Sequence, residues 1–362
     1  MNVMRVSTMM VYAQMAKAMQ DAASQLADAN TQLATGKKIN KPSDDPAGEA
    51  QAIDYKVSIQ TNTQYENNMQ QANIFLDATD KVFTSAADTL SNLKDLASAG
   101  INNQTQETKD ANSQQAAGYR DFLLGLANTK VGNRYLFSGF KTDQQAFTFN
   151  AVTNTFDYNG DLGSIQVPID ANSSMATNVQ GSTAFRAGLG GTMPAALSDG
   201  TPVSYTQAKD PVTGVNTITV EIGNVGDPDY DTFRVTNVMD IANVVSFAWK
   251  NQNVDGTALD PSADISQEKA QHRMDALDSV IDAARSQVLA QQAEVGARGD
   301  VMNDQKTRFD QMNLSLESAR AKIEDADINQ TYVDMQQASV ALQALQSSAA
   351  KVLSTSLLDF LQ

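Results

Sequence analysis

Few residues in this 362-residue chain have the type and spacing that chemistry requires. His272 is the only histidine, and Glu268, Lys269, Arg273 and Asp275 around it suggest a charged helix face, so a solvated side chain is expected rather than a catalyst. Asp227, Asp229 and Asp231 imitate the start of a calcium loop. Thr232 replaces the glycine of that loop and Val238 stands where its bidentate Glu belongs, so an ordinary acidic turn is expected. Glu324, Asp325 and Asp327 crowd carboxylates ahead of an apolar-periodic run, where helix capping is a simpler role than metal ligation. Arg298-Gly299-Asp300 spells an integrin-type tripeptide, a match that arises readily by chance. No HExxH zincin motif, phosphate loop or GxSxG elbow occurs. Cysteine is absent, which excludes disulfides, thiol nucleophiles and thiolate metal sites. The expectation is a protein that is not an enzyme, with no catalytic, cofactor-binding or metal-ligating residues.

Composition narrows the partners. The net charge of −16 argues against nucleic acid and anionic membrane, both of which select basic patches. No stretch approaches the roughly 18 to 20 apolar residues of a membrane span. The N-terminus lacks a continuous apolar core and a small-residue cleavage site, so no secretory signal is expected.

The periodic elements lie at the two ends. Tyr12, Met15, Met19, Ala22, Leu26, Ala29 and Leu33 keep heptad spacing, as do Ile328, Thr331, Met335, Ala338, Leu342, Leu345, Ala349 and Val352. Charges are sparse on both: Lys17, Asp21 and Asp28 on the first, Asp334, Lys351 and Asp359 on the last. A helix standing in water usually carries dense charge pairs four residues apart. Two such helices are expected to pair with each other. Coiled-coil arms of a dimer would satisfy the periodicity, whereas the low charge favours a larger assembly that covers more faces.

Between the ends, Gly36 and Pro42 stop the first helix, and Asp45-Pro46 starts a second that runs to about Ser98. Its seam is Met69, Ala72, Leu76, Thr79, Phe83, Ala86, Leu90, Leu93 and Ala97. A third helix over about 107–129 presents Tyr119, Phe122, Leu123 and Leu126. From Phe147 to Pro261 the pattern turns strand-like, with runs at 147–149, 155–158, 164–167, 217–222 and 232–235. Asn159-Gly160 signals a hairpin, 210–214 a turn between two strands and 240–250 a short helix. Helix resumes near Ile265 with a seam of Met274, Leu277, Ile281, Ala284, Val288 and Val295 beneath a charged outer face. Gly296 and Gly299 should loosen it. Met302, Phe309, Met312, Leu316, Ala319 and Ile323 continue the seam until its phase slips at 324–327, which marks a joint. The fold class expected is mainly α, with paired terminal coiled-coil helices, a long-helix bundle and an inserted β-rich outer domain. The divisions are 1–40 with 324–362, 41–146 with 262–323, and 147–261.

Several of these segments carry a family likeness. Leu33-Ala-Thr-Gly-Lys-Lys-Ile-Asn-Lys-Pro-Ser-Asp-Asp-Pro-Ala-Gly and Ser318-Ala-Arg-Ala-Lys-Ile-Glu-Asp-Ala-Asp resemble the N- and C-terminal signatures of the flagellin superfamily. Met4-Arg-Val-Ser-Thr, Asn133-Arg-Tyr-Leu-Phe-Ser-Gly-Phe and Leu357-Leu-Asp-Phe-Leu resemble its branch that joins hook to filament. The likeness covers about 4–147 and 265–362, starts at Met4 and leaves the β insert unmatched. It implies an extracellular structural subunit of the bacterial flagellum, exported without a cleaved signal peptide by the flagellar type III apparatus. The partners implied are copies of itself in a ring or helical assembly, neighbouring hook-associated and flagellin subunits, and an export chaperone on the C-terminal helix. Filament flagellin is the alternative within the superfamily, and a coiled-coil surface adhesin the alternative outside it. The residues expected at the self-assembly interface are Tyr12, Met15, Met19, Leu26, Leu33, Ile328, Met335, Leu342, Leu345, Val352, Leu357 and Phe360.

Overall fold

The computed structural model describes residues 2–102, 104–189, 193–211 and 214–360, with side chains from 10 to 351 within those ranges. The helices are α1 (Asn2–Thr35), α2 (Pro46–Ser98), α3 (Gln106–Ala127), α4 (Gly181–Ala184), α5 (Val238–Ala248), α6 (Ala263–Glu324) and α7 (Ile328–Phe360). The strands are β1 (Lys130–Val131), β2 (Arg134–Tyr135), β3 (Phe147–Asn150), β4 (Thr155–Tyr158), β5 (Gln166–Asp170), β6 (Ser173–Ala176), β7 (Val203–Lys209), β8 (Asn216–Ile222) and β9 (Asp231–Val235). They form three two-stranded hairpins and one antiparallel sheet of order β7-β8-β9. The protein is mainly α with a β-rich insertion, as the sequence predicts. By internal contacts it divides into two units, Met1–Gln64 with Arg308–Gln362, and Tyr65–Thr307.

Within the 65–307 unit, the α2 seam from Met69 to Ala97 is at most 2% exposed at every member. The α6 seam from Met274 to Val295 is at most 1% exposed. Polar links hold these stretches antiparallel: Asn73 donates to Asn303 at 3.0 Å, Gln292 to Thr84 at 2.9 Å, and Ser98 to Asp278 at 3.1 Å. Lys94 adds ion pairs to Asp278 and Asp282. At the centre, Phe137 stands edge-on to Phe185 at 4.9 Å between ring centroids, with Phe83 and Phe147 against the same ring. The 133–140 motif therefore has a structural explanation. Phe137 and Ser138 are fully buried, and the Ser138 hydroxyl donates to Gln144 O at 2.7 Å. Gly139 lies at φ +70°, where a Cβ would sit 2.5 Å from Asp161 O.

The structure corrects several expectations. Part of the charged face of α6 is covered by segments of the insertion, while Glu268 and Arg285 stay exposed. Lys269 pairs with Asp260 at 3.2 Å, and Arg273, 2% exposed, forks onto both oxygens of Asp231. His272 is buried, with Nε2 2.8 Å from Asp199 Oδ2, rather than solvated. The Arg273 fork also gives Asp231 a role within the core. Gly296 and Gly299 do not interrupt α6, and Arg298 is engaged by Ala176 O, Asn178 O and Glu294. Met312 and Phe122 are exposed instead of joining their seams. Asn159-Gly160 is not the hairpin tip. The β3–β4 turn lies at 151–154 with Asn154 at φ 51°, and Gly160 leaves room for the Tyr158 ring. The sequence reading missed β6, and it reached β7 only as the strand implied ahead of the 210–214 turn.

Two outcomes follow for this unit. Phe83→Ala should cost about 3–5 kcal/mol through the cavity it leaves, read by urea unfolding through the single tryptophan, Trp249, which is fully buried. Asp240 accepts from Phe156 N and Thr236 N at 2.9 and 3.0 Å, yet burial outweighs these bonds and raises its pKa from 3.8 to about 6. A carboxyl whose folded pKa is raised holds its proton more tightly in the folded state. Its stability contribution is therefore full below pH 3.8 and lost as pH rises through 6. Asp240→Asn should flatten the dependence of unfolding free energy on pH across that window, from 3.8 to about 6.

Candidate assembly interface

In the unit of 2–64 and 308–360, α1 and α7 pack along each other. What sets their register is a short antiparallel bridge between Lys37 and Asp325. Gly36 ends α1 at φ +70° and sends the chain toward the α6–α7 joint. Lys38 N donates to Glu324 O at 2.6 Å and Ala326 N to Gly36 O at 3.0 Å. Glu324 also takes Lys37 Nζ at 3.0 Å and Arg320 Nε at 3.7 Å. Asp327 caps α7, accepting from Asn329 N and Gln330 N at 3.0 and 3.2 Å. Each of these two carboxylates has an ion-pairing or capping role. Among the described residues, no group of three or more His, Asp or Glu side chains is placed to hold a metal.

The loop after the bridge is equally determined. Asp44 Oδ2 accepts from Asn40 N at 3.0 Å and Lys41 N at 2.9 Å, and these bonds hold its pKa below the usual value. Asp45 caps α2 through Gly48 N at 3.0 Å, with Pro46 at the first helical position. A Cβ on Gly48 would lie 2.4 Å from the Asp45 carboxylate and 3.0 Å from Ile39, so only glycine fits.

Along α1–α7 the most covered residues are small. Ala22 and Ala29 are 7% exposed, Thr331 and Ala338 6%. Tyr12, Met15, Met19, Leu26 and Leu33 are only half-buried, as are Met335, Leu342, Leu345 and Ala349. Ile328, expected in the seam, is 50% exposed at the first residue of α7. The side chains of Val352, Leu357 and Phe360 lie outside the described residues. Small seams leave room: a groove of about 490 Å³ opens beside Ala29, Ala338 and Ala341, edged by Gln25, Gln32 and Gln337. Away from the seam, Met10, Tyr332, Val333 and Val340 are 45–63% exposed. Val333, Val340 and the exposed Ala344 repeat at seven and four residues, which sets a second apolar stripe on the opposite side of α7. That stripe could not be found from the pairing seam, although the scarcity of charge around it pointed the same way.

Comparison with known proteins now bears on this arrangement. Residues 6–142 match the bacterial flagellin N-terminal helical region. The chain is similar to flagellar hook-associated protein 3 of Escherichia coli, 29% identical over 184 residues, and to that of Salmonella typhimurium, 27% identical. Each match spans 50% of this chain and 57% of the relative, so it covers little more than half the length of these proteins. The fold is shared with hook-associated protein 3 of Legionella pneumophila at TM-score 0.55 and 17% identity, covering 74% of this chain and 98% of that one. A putative flagellar hook-associated protein of Vibrio parahaemolyticus aligns at TM-score 0.56 and 17% identity, over 78% and 100% of the two chains.

Burying apolar surface contributes roughly 25 cal/mol per Å², against roughly 1–2 kcal/mol per residue of backbone entropy. A seam whose closed positions are Ala and Thr gains little by that comparison. The amides of 338–351 should therefore exchange rapidly in the free subunit and be protected once subunits assemble, as hydrogen-exchange mass spectrometry would read. Strong protection in the free subunit would contradict this. Asp44 offers a separate check. A depressed carboxyl pKa contributes stability above about pH 3.8 that is lost as pH falls through the folded value. Protection of the Asn40 and Lys41 amides should fade in that acidic window, and Asp44→Asn should remove its pH dependence.

Proposed function

We propose that this protein is a structural subunit of the bacterial flagellum that forms the junction between hook and filament, assembling with copies of itself through the α1–α7 pair. The observation that carries this reading is the apolar, nearly uncharged outer side of that pair, with Val333, Val340 and Ala344 on the side away from α1. An isolated subunit gains nothing from that surface, whereas neighbours packed around it would bury it. The relatives' names supply the location, and the terminal signatures support it. Subunits above and below would be hook-associated protein and flagellin, and an export chaperone would hold the C-terminal helix before release. The chain would leave the cell without a cleaved signal peptide and act as a structural part rather than an enzyme. Segments 1–40 and 324–362 form the assembly domain in this reading, 41–146 and 262–323 the helical bundle, and 147–261 an inserted domain. Tyr12, Met15, Met19, Leu26, Leu33, Met335, Leu342 and Leu345 align α1 with α7, which leaves the exposed stripe and Ile328 to meet neighbours.

A deletion strain tests the reading. It should carry hooks without attached filaments and release flagellin into the medium, with both defects repaired by the wild-type gene. Val340 is 63% exposed, so Val340→Asp should leave the secreted subunit folded yet fail to restore filaments, because assembly would bury the charge. Leu345→Asp, placed in the seam, should also disturb the α1–α7 pair itself. Full motility with Val340→Asp, or loss of the hooks themselves on deletion, would overturn the proposal.

A further inference from the structure

The groove between α1 and α7 has acids at one end and lysines at the other. The described side chains of the two helices include five charged ones: Lys17, Asp21 and Asp28 on α1, Asp334 and Lys351 on α7. Asp28 and Asp334 line the groove, one on each wall, beside Ala29 and Ala338. Asp21 and Lys17 continue the Asp28 edge of α1 at steps of seven and four residues. Lys351 lies two heptads beyond Gln337, which edges the groove on α7. The bridge at Lys37 and Asp325, with Ala29 beside Ala338, sets the two helices antiparallel. Lys17 and Lys351 therefore fall at the same end, away from the bridge, and the two acids at the other.

Neither acid at the bridge end has a cation of its own. The ion pairs of this unit join Lys37 and Arg320 to Glu324, and leave Asp28, Asp334 and Lys17 unpaired among the described residues. Gln330 gives Asp334 only a neutral amide donor, at 2.8 Å. Two carboxylates above an alanine floor suit a lysine, whose methylene stem can lie on Ala29 and Ala338 while its ammonium reaches the acids. The chain cannot make this contact with itself. Lys17 stands roughly 16 Å from Asp28 along α1, at about 1.5 Å per residue, which is beyond a lysine's reach. Where paired helices meet paired helices, the described cations on offer are Lys17 and Lys351 of another copy.

We propose that copies of this chain dock head to tail along the groove, with the Lys17 and Lys351 end of one copy seated between Asp28 and Asp334 of the next. The contact rests on the proposed role of the α1–α7 pair as the assembly surface, and adds a polarity to it. The two ends are different surfaces, so each docked copy still presents one end to a further copy. Such a contact propagates into a ring or helix instead of closing as a two-fold dimer.

The full chain tests this in the deletion strain. Asp28→Lys sets lysine against lysine across the contact, and Lys17→Asp sets acid against acid; like charges opposed in an interface are strongly disfavoured. Both positions are exposed, so each variant expressed alone should be secreted yet leave hooks without filaments. Expressed together, the two variants can alternate with opposite charges at every contact, and filaments should return. A contact within one chain could not be rescued in this way. The chain has no cysteine, which allows a second readout. With Lys17→Cys and Asp28→Cys in one chain, a short bismaleimide should join assembled subunits into a ladder of oligomers, whereas Lys17→Cys alone should give no cross-link. Normal filaments with either charge swap alone, no rescue on co-expression, or cross-linked dimers from Lys17→Cys alone would overturn the proposal. Failure of the wild-type gene to restore filaments would overturn the assembly reading itself, and this contact with it.

Discussion

The antiparallel bridge between Gly36–Ile39 and Glu324–Ala326 is the contact on which the terminal unit depends. It joins the end of α1 to the start of α7 through main-chain bonds whose register allows no sliding. Ala29 therefore faces Ala338 across the groove, and the two helices approach closely without large side chains between them. The sequence motifs on either side serve this junction. Glycine at 36 supplies the left-handed turn, glycine at 48 leaves room for the Asp45 cap, and Glu324 gathers Lys37 and Arg320.

Charge divides the two units in opposite ways. In the 65–307 unit, ionic groups are absorbed by partners within the chain: Arg273 by Asp231, Lys269 by Asp260, Lys94 by Asp278 and Asp282. These pairs fix the insertion and α2 on α6. On α1 and α7 there is almost no charge to absorb, and the apolar groups at Val333 and Val340 have no cover within the chain. One unit pairs these ionic groups internally, and the other leaves apolar groups exposed. A subunit that stays folded while its contacts change would have this division.

Much of the helical architecture was legible because period and punctuation agree. Asp45-Pro46 and Gly100 bracket α2 to the residue, and every member of its 69–97 seam is buried. The slip at 324–327 marked the α6–α7 joint correctly. The failures share one cause, which is tertiary cover that a helical period does not register. His272 and Arg273 read as surface residues because the strands and loops covering them lie between 40 and 75 residues away in sequence. Within the insertion, β7 was implied by the turn after it but not by its own weakly alternating residues, and the Asn159-Gly160 pair imitated a turn where Gly160 leaves room for the Tyr158 ring. At the terminal pair, the seam was visible as spacing, but the Lys37–Glu324 contact was not, since nothing local links positions so far apart.

The bridge also carries a kinetic consequence. Its partners are separated by nearly the whole chain, so the α1–α7 contact closes a loop of several hundred residues, among the least favourable closures in the molecule. A chain that emerges from a pore one end first, in either direction, cannot form it until the last helix is free. Within the 65–307 unit the α2–α6 contacts span up to 230 residues, so they wait for α6 but not for α7. A chain truncated before α7 therefore never presents the paired surface.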